Sequence, residues 1–476
     1  MQLSEAQVAS IVEKVVHRLE RPSRDSAPRA SNGSEAQGVF ATLDEAVQAA
    51  QRAQRDLAEL GLAVRVAMVE AIRRSCLDNL ENLARLAVEE TGLGRVEDKV
   101  AKNRLVTELT PGPEFLKTEA VSDDNGLTIT ERAPFGVLSA ITPSTNPAAT
   151  IINNGIAMLS AGNTVVFNPH PGAVEVSLKT ISLMNEAASA AGGPPDCFTF
   201  VAEPTVETAQ ALMRHPSVAL NVVTGGQAVV EEARQAGKRV IGAGPGNPPV
   251  VVDATADVDK AARDIVAGAS FDNNVICTDE KEVFVVASAA DELKVRMKAH
   301  GALELNTYQT ERLARLVLAE EASGRKSSRI NRSLVGKDAS LLLAEIGVEA
   351  PETVRPIMCE TDREHPFVWT ELLMPVIPLV RVADVDEAIA LSVEAEHGFG
   401  HTAVMHSTDV AALHRMACRI ETALFVKNGP SYAGLGGGGA GYTSFTIATQ
   451  TGEGLTTPYT FSRERRCTLV DYFRIV

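Results

Sequence analysis

Short apolar runs alternate with longer amphipathic ones along most of this chain. Val137 to Ile141, Thr164 to Phe167, Cys197 to Val201, Ala219 to Val223 and Val240 to Gly242 are short enough, and apolar enough, to be strands buried on both faces. Residues 173–191, 206–214 and 228–236 lie between them with helical spacing. Strand alternating with helix predicts a parallel sheet covered on both sides. Upstream, residues 44–107 are rich in Ala, Leu and Arg and read as helical throughout. A second alternating series follows at Val250 to Asp253, Lys281 to Ala287, Val376 to Val382, Thr402 to His406 and Ala423 to Val426, with helices such as Val385 to Ala395 between. Two α/β units are therefore expected.

The start of the chain has a different pattern. Val8, Ile11, Val12, Val15, Val16 and Leu19 recur at three- and four-residue intervals, and Ser4 with Gln7 forms a capping box, so residues 4–20 predict a short amphipathic helix. Residues 21–34 are rich in Pro, Ser and charge without apolar period, as a solvated linker is. A helix held away from the body must cover its valine face by docking back, by pairing with its own copy, or by binding another protein.

With 476 residues and 45% apolar content the chain can bury two cores. Its formal charge of −16 opposes non-specific attraction to nucleic acid or to anionic lipid. Six cysteines are scattered without a CxxC pair, which fits a reducing cytosol. No run of about 18 apolar residues predicts a membrane span, and no secretory signal is expected. None of the nine histidines pairs at metal-ligand spacing, so no metal is expected. Arg325, Lys326, Arg329 and Arg332 read as a solvated helix end, and the glycines of 434–441 as a flexible connection, because a phosphate loop would end in Gly-Lys-Ser/Thr.

The candidate chemistry centres on Cys277. The segment Asn273-Asn274-Val275-Ile276-Cys277-Thr278 follows a glycine-rich turn, Gly242 to Pro249, that holds no carboxylate. That pairing points to a thiol nucleophile whose acyl intermediate is not meant for water. Three more segments accompany it: Pro134 to Pro147, an apolar strand ending in Thr142-Pro143-Ser144-Thr145-Asn146-Pro147; Ser160 to Pro171, ending in Asn168-Pro169-His170-Pro171; and Glu371-Leu372-Leu373-Met374-Pro375-Val376. In this order with Cys277 they resemble the aldehyde dehydrogenase superfamily from about Gly38 onward. The hydrolytic members of that family carry a general-base glutamate where this chain has glycine, and a lysine where it has Asn168. Both departures resemble the CoA-acylating branch, and residues 360–366, 396–402 and 426–434 resemble the propionaldehyde and acetaldehyde dehydrogenases of bacterial microcompartments.

The resemblance implies an aldehyde dehydrogenase-like α/β fold. It has a Rossmann-type NAD-binding domain over 39–117 and 133–241, and an α/β catalytic domain with the nucleophile over 242–440. A small oligomerisation flap comes from 118–132 and 441–476, with Val470 to Val476 apolar enough to be an added strand, and a linker at 21–38 joins these to the encapsulation helix at 1–20. It implies oxidation of a short aliphatic aldehyde with NAD and coenzyme A, through a thioacyl intermediate on Cys277, in a homodimer or homotetramer packaged by shell proteins inside a cytoplasmic microcompartment. Oxyanion donors are the Cys277 amide and a side chain of Thr145 or Asn146, with Asn146 favoured. Thr142, Pro143, Asn168, Pro169 and His170 line the nucleotide groove, Thr224, Gly225 and Gly226 meet the pyrophosphate, and Glu371 bonds the nicotinamide ribose. The missing lysine at Asn168 favours NAD over NADP. A helix dipole or local donors are expected to lower the Cys277 pKa. The rivals are a hydrolytic aldehyde dehydrogenase and an inactive packaged scaffold.

Overall fold

Two parallel sheets, each with its own core, organise the chain. The computed structural model describes residues 38–319 and 327–475, so the expected helix at 1–20, most of the linker, and Arg325 and Lys326 lie outside the described residues. The first sheet has the spatial order Val39–Phe40, Phe198–Val201, Thr164–Pro169, Val137–Thr142, Leu220–Thr224, Val240–Ala243, all parallel. Strand order reverses between Val137–Thr142 and Leu220–Thr224, and a crevice opens beyond the carboxyl ends of strands at such a point. The second sheet runs Leu303–Leu305, Ile357–Thr361, Val376–Val382, Glu282–Val286, Pro249–Val252, Thr402–His406, Leu424–Lys427, again all parallel. Among the described residues no helix is long and apolar enough to cross a membrane.

One helix falls outside the amphipathic pattern. Pro147–Ser160 is buried at every position, so its sequence has no polar face and hence no helical period. Pro147 at its first turn starts it, since proline fixes a helical φ where no N–H partner is needed. Its buried Asn153 and Asn154 need hydrogen-bond partners, and a returning C-terminal segment supplies them. Phe445 N donates to Asn153 Oδ1 at 3.0 Å, and Thr446 Oγ1 to Asn154 Oδ1 at 2.9 Å. Phe445, Ile447, Ala448 and Phe461 thereby complete the first core.

A separate antiparallel sheet joins Glu119–Asp123, Gly126–Pro134 and Ser462–Val470. The added strand is therefore not Val470 to Val476 but the charged stretch before it. The pairing register ends at Val470↔Gly126, where the partner hairpin turns, and Asp471 at φ 71° leaves the strand.

The loop before Cys277 contains the least ordinary backbone. Asp272, Asn273 and Asn274 have φ of 46°, 55° and 64°, three consecutive left-handed residues that carry side chains. The Asp272 carboxylate is packed so closely that a Cβ added at Gly94, itself at φ +72°, would lie 1.9 Å from Asp272 Oδ1. Gly94→Ala is therefore expected to cost more than about 1 kcal/mol, and to lower the melting temperature by about 2 °C or more in calorimetry. An unchanged melting temperature would mean that the Asp272 loop has room to move.

Candidate active site

The reversal point of the first sheet faces the Cys277 loop across a cleft of about 180 Å³. Pro143, Thr145, Asn146, Thr224, Gly225, Gly226, Cys277 and Glu371 all line it, although the chain brings them from four separate segments. Thr142 lies buried at the end of its strand, with no hydrogen-bond partner for its hydroxyl among the described residues. Asn168, Pro169 and His170 are not brought into the cleft. Asn168 is buried and serves the helix Val206–Arg214, accepting from Thr208 Oγ1 at 2.7 Å. His170 is largely exposed and its Nδ1 accepts from the Gly172 amide at 3.0 Å, with its pKa pushed down by partial burial of the ring and by Arg332.

Cys277 is half-buried and its thiol is pushed up to about 12, first by burial and then by the charge of Glu371, while Lys281 pulls the other way. The expected net lowering is thus not found: Lys281 and the Cys277 backbone amide pull downward, but burial outweighs them, and the adjacent cleft wall of Val275, Ile276, Leu373, Phe445 and Ile447 is apolar. Among the described residues Glu371 is the only carboxylate lining the cleft. Burial pushes its pKa up, and its Oε1 accepts from the Gly246 amide at 3.4 Å. Gly246 has no room for a side chain, since an added Cβ would meet Cys277 O at 2.6 Å and His401 Cγ at 2.9 Å.

Beneath the cleft sits a buried polar layer that sequence patterning missed. Asp279, Glu280, Lys281 and Glu282 are all buried, where a four-residue polar run ordinarily signals a solvated surface. Lys281 Nζ donates to Asn274 O at 3.0 Å, to Asn274 Oδ1 at 2.5 Å and to Ile276 O at 3.1 Å, which braces the nucleophile loop from below. His401 is also buried. Its pKa is pushed down to about 4 by burial and by Lys281, which leaves a neutral ring whose Nδ1 lies 2.8 Å from Thr402 Oγ1.

On the facing side, Asn146 precedes the helix Pro147–Ser160, and its Nδ2 donates to Thr145 Oγ1 at 3.2 Å. The helix Gln227–Arg234 begins after Gly226 without a side-chain cap, so its first N–H groups are available to an anion. Added Cβ atoms at Gly225 and Gly226 would meet nothing within 4 Å, which leaves the turn open to close approach by a pyrophosphate. Together with the strand reversal, these features fit a dinucleotide. Among the described residues no group of three or more His, Cys, Asp and Glu could hold a metal ion.

A model of the aldehyde dehydrogenase family matches residues 29–457. The acetaldehyde dehydrogenase (acetylating) EutE of Salmonella typhimurium is 51% identical over 466 residues, which cover 98% of this chain and 99% of that protein. The solved structure of a propionaldehyde dehydrogenase from the Clostridium phytofermentans fucose utilisation bacterial microcompartment is 46% identical. It superposes with a TM-score of 0.90 over 92% of this chain and 100% of that one. The propionaldehyde dehydrogenase of Rhodopseudomonas palustris, solved with bound CoA and an acylated cysteine, is 50% identical, with a TM-score of 0.88 over 91% of this chain and 98% of that one.

A thiol with a pKa near 12 exposes little thiolate at neutral pH. Alkylation of Cys277 in the free protein, followed by peptide mass spectrometry, should accelerate about tenfold per pH unit from pH 7 to 10 without levelling. A plateau near pH 8 would show that the thiol is activated before any ligand binds.

Proposed function

The chain belongs to the aldehyde dehydrogenase family, and from that premise we propose that it is a CoA-acylating enzyme, oxidising a short-chain aldehyde with NAD and coenzyme A to acyl-CoA and NADH. One observation carries this reading: the cleft offers a thiol and no carboxylate free to activate water, because residues 242–249 contain no acid and Glu371 is tethered to Gly246.

Cys277 Sγ releases its proton to solvent and forms a bond to the aldehyde carbon, and the carbonyl π pair moves onto oxygen as an oxyanion. The Cys277 amide and Asn146 Nδ2, with Thr145 beside it, donate to that oxyanion, and removal of one such donor typically costs about 3 to 4 kcal/mol. NAD, when bound, supplies the hydride acceptor. Thr142, Pro143, Thr224, Gly225 and Gly226 would hold it, Glu371 would bond its ribose, and Asn168, Pro169 and His170 would shape the strand end beside it. Loss of hydride leaves a thioester on Cys277. The apolar wall and the missing base protect this thioester from water until the coenzyme A thiolate displaces the Cys277 thiolate.

The finer reading extends to assembly. The strand Ser462–Val470 is exposed at every residue after Ser462, and Tyr472, Phe473 and Ile475 beyond it are also exposed, which supports a homodimer or homotetramer joined through this arm. Residues 1–20 then serve as the segment that binds shell proteins and packages the enzyme in a microcompartment, a role supported by the relative from such a compartment.

With propionaldehyde and NAD, sustained NADH formation is expected only when coenzyme A is present, and not at all in Cys277→Ala. Equal turnover without coenzyme A would mean that water deacylates the enzyme. Deleting residues 1–20 should leave this activity intact while abolishing co-purification with shell proteins, and undiminished packaging would sink the targeting role.

A further inference from the structure

Two lysines three residues apart on the helix Val96–Leu109 reach into the interior, and both are almost fully buried. Lys99 Nζ donates to Asp272 Oδ2 at 2.9 Å and to Thr145 O at 3.2 Å. Lys102 Nζ donates to Asp272 Oδ2 as well, and to Asn146 Oδ1. The neighbouring charges are already matched: Asp98 takes Arg355 at 3.1 Å, and Arg95 takes Asp338 at 2.6 Å. Asp272 thus faces two buried ammonium groups, and one of them exceeds what charge balance requires. A buried charge without its own counter-charge is costly and calls for another explanation. Lys102 supplies it by its second contact. An ammonium group only donates, so the Asn146 carboxamide must present Oδ1 to it, and Nδ2 is left beside Thr145 on the wall of the cleft. A cation on the amide oxygen also polarises the opposite N–H groups into stronger donors.

We propose that Lys102 is a positioning residue for the chemical step: it orients the Asn146 amide as the oxyanion donor and, through Asp272, ties that donor to the loop that carries Cys277. The inference rests on the assignment of Asn146 given above. It is tested by a double-mutant cycle that reads the rate of hydride transfer in single turnovers. Lys102→Met, which leaves Asp272 paired with Lys99, should slow that step by on the order of 30-fold, within the range set by loss of an oxyanion donor, with KM for NAD and coenzyme A unchanged within about threefold. Lys102→Gln restores a donor to Oδ1 and should recover most of the loss. In the Asn146→Ala background, Lys102→Met should have no further effect. Multiplicative losses in the double variant, or a Lys102→Met rate within about threefold of the parent, would overturn the inference. Full activity in Asn146→Ala, with Cys277→Ala dead, would instead remove the assignment beneath it. If Lys102→Met fails to fold, Lys102→Ala, which also removes the donor to Oδ1, completes the same cycle, and multiplicative loss again overturns the inference.

Discussion

Three consecutive side-chain-bearing residues at positive φ cannot be sustained by local sequence, and the rest of the site depends on how they are held. Each such residue costs about 1 to 3 kcal/mol, softened here because Asp and Asn tolerate the left-handed region better than other types. Each is anchored to a different part of the fold. The Asp272 carboxylate takes the Arg95 amide at 2.8 Å and the two lysines of the helix Val96–Leu109. Asn273 Nδ2 donates to Gly336 O and Asp338 Oδ1, both at 2.9 Å. Asn274 Nδ2 donates to Ala269 O and Glu280 O, also at 2.9 Å. The position of Cys277 is therefore a tertiary property, fixed only when both sheets are in place.

The buried layer beneath the cysteine solves a second problem, which is how to stiffen a loop without leaving free charge near a thioester. Lys281 uses its three donors on Asn274 and Ile276, so it acts as a brace. Glu280 accepts from Ser431 N at 2.8 Å and Ser431 Oγ at 2.7 Å, and burial pushes its pKa up to about 7. Burial pushes Asp279 and Glu282 well above the usual carboxylate range, towards their neutral forms. Acidic groups are thus abundant near Cys277, yet among the described residues Glu371 is the one acid that lines the cleft. The contrast between abundant acids below and an absent base above matches acyl transfer to a thiol rather than to water.

Legibility from sequence followed periodicity. The strands Val376–Val382 and Thr402–His406 and the helices Val206–Arg214 and Val385–Ala395 were readable to the residue, because each has one dominant pattern and clear flanks. Pro147–Ser160 was not readable, since a helix buried on all sides loses the period that identifies it. Motif order brought Cys277, Asn146, Glu371 and the Thr224 turn to one place, but it could not tell that Asn168 turns inward to Thr208. Asp279, Glu280 and Lys102 carried no signal of burial, because whether a charged side chain is solvated or clamped depends on what packs over it. The long separation between those parts explains why pattern alone stops there.

The returning segment near Phe445 has one more consequence. Ser444, Phe445 and Ile447 form part of the cleft wall, and within this segment Phe445 N and Thr446 Oγ1 donate to Asn153 and Asn154, each across a sequence separation of 292 residues. During vectorial synthesis the nucleotide turn and the cysteine loop emerge long before this wall does. The nascent chain therefore passes through a stage in which the thiol loop has been synthesised but its water-excluding side is missing, and the cleft is complete only once residues 444–447 have emerged.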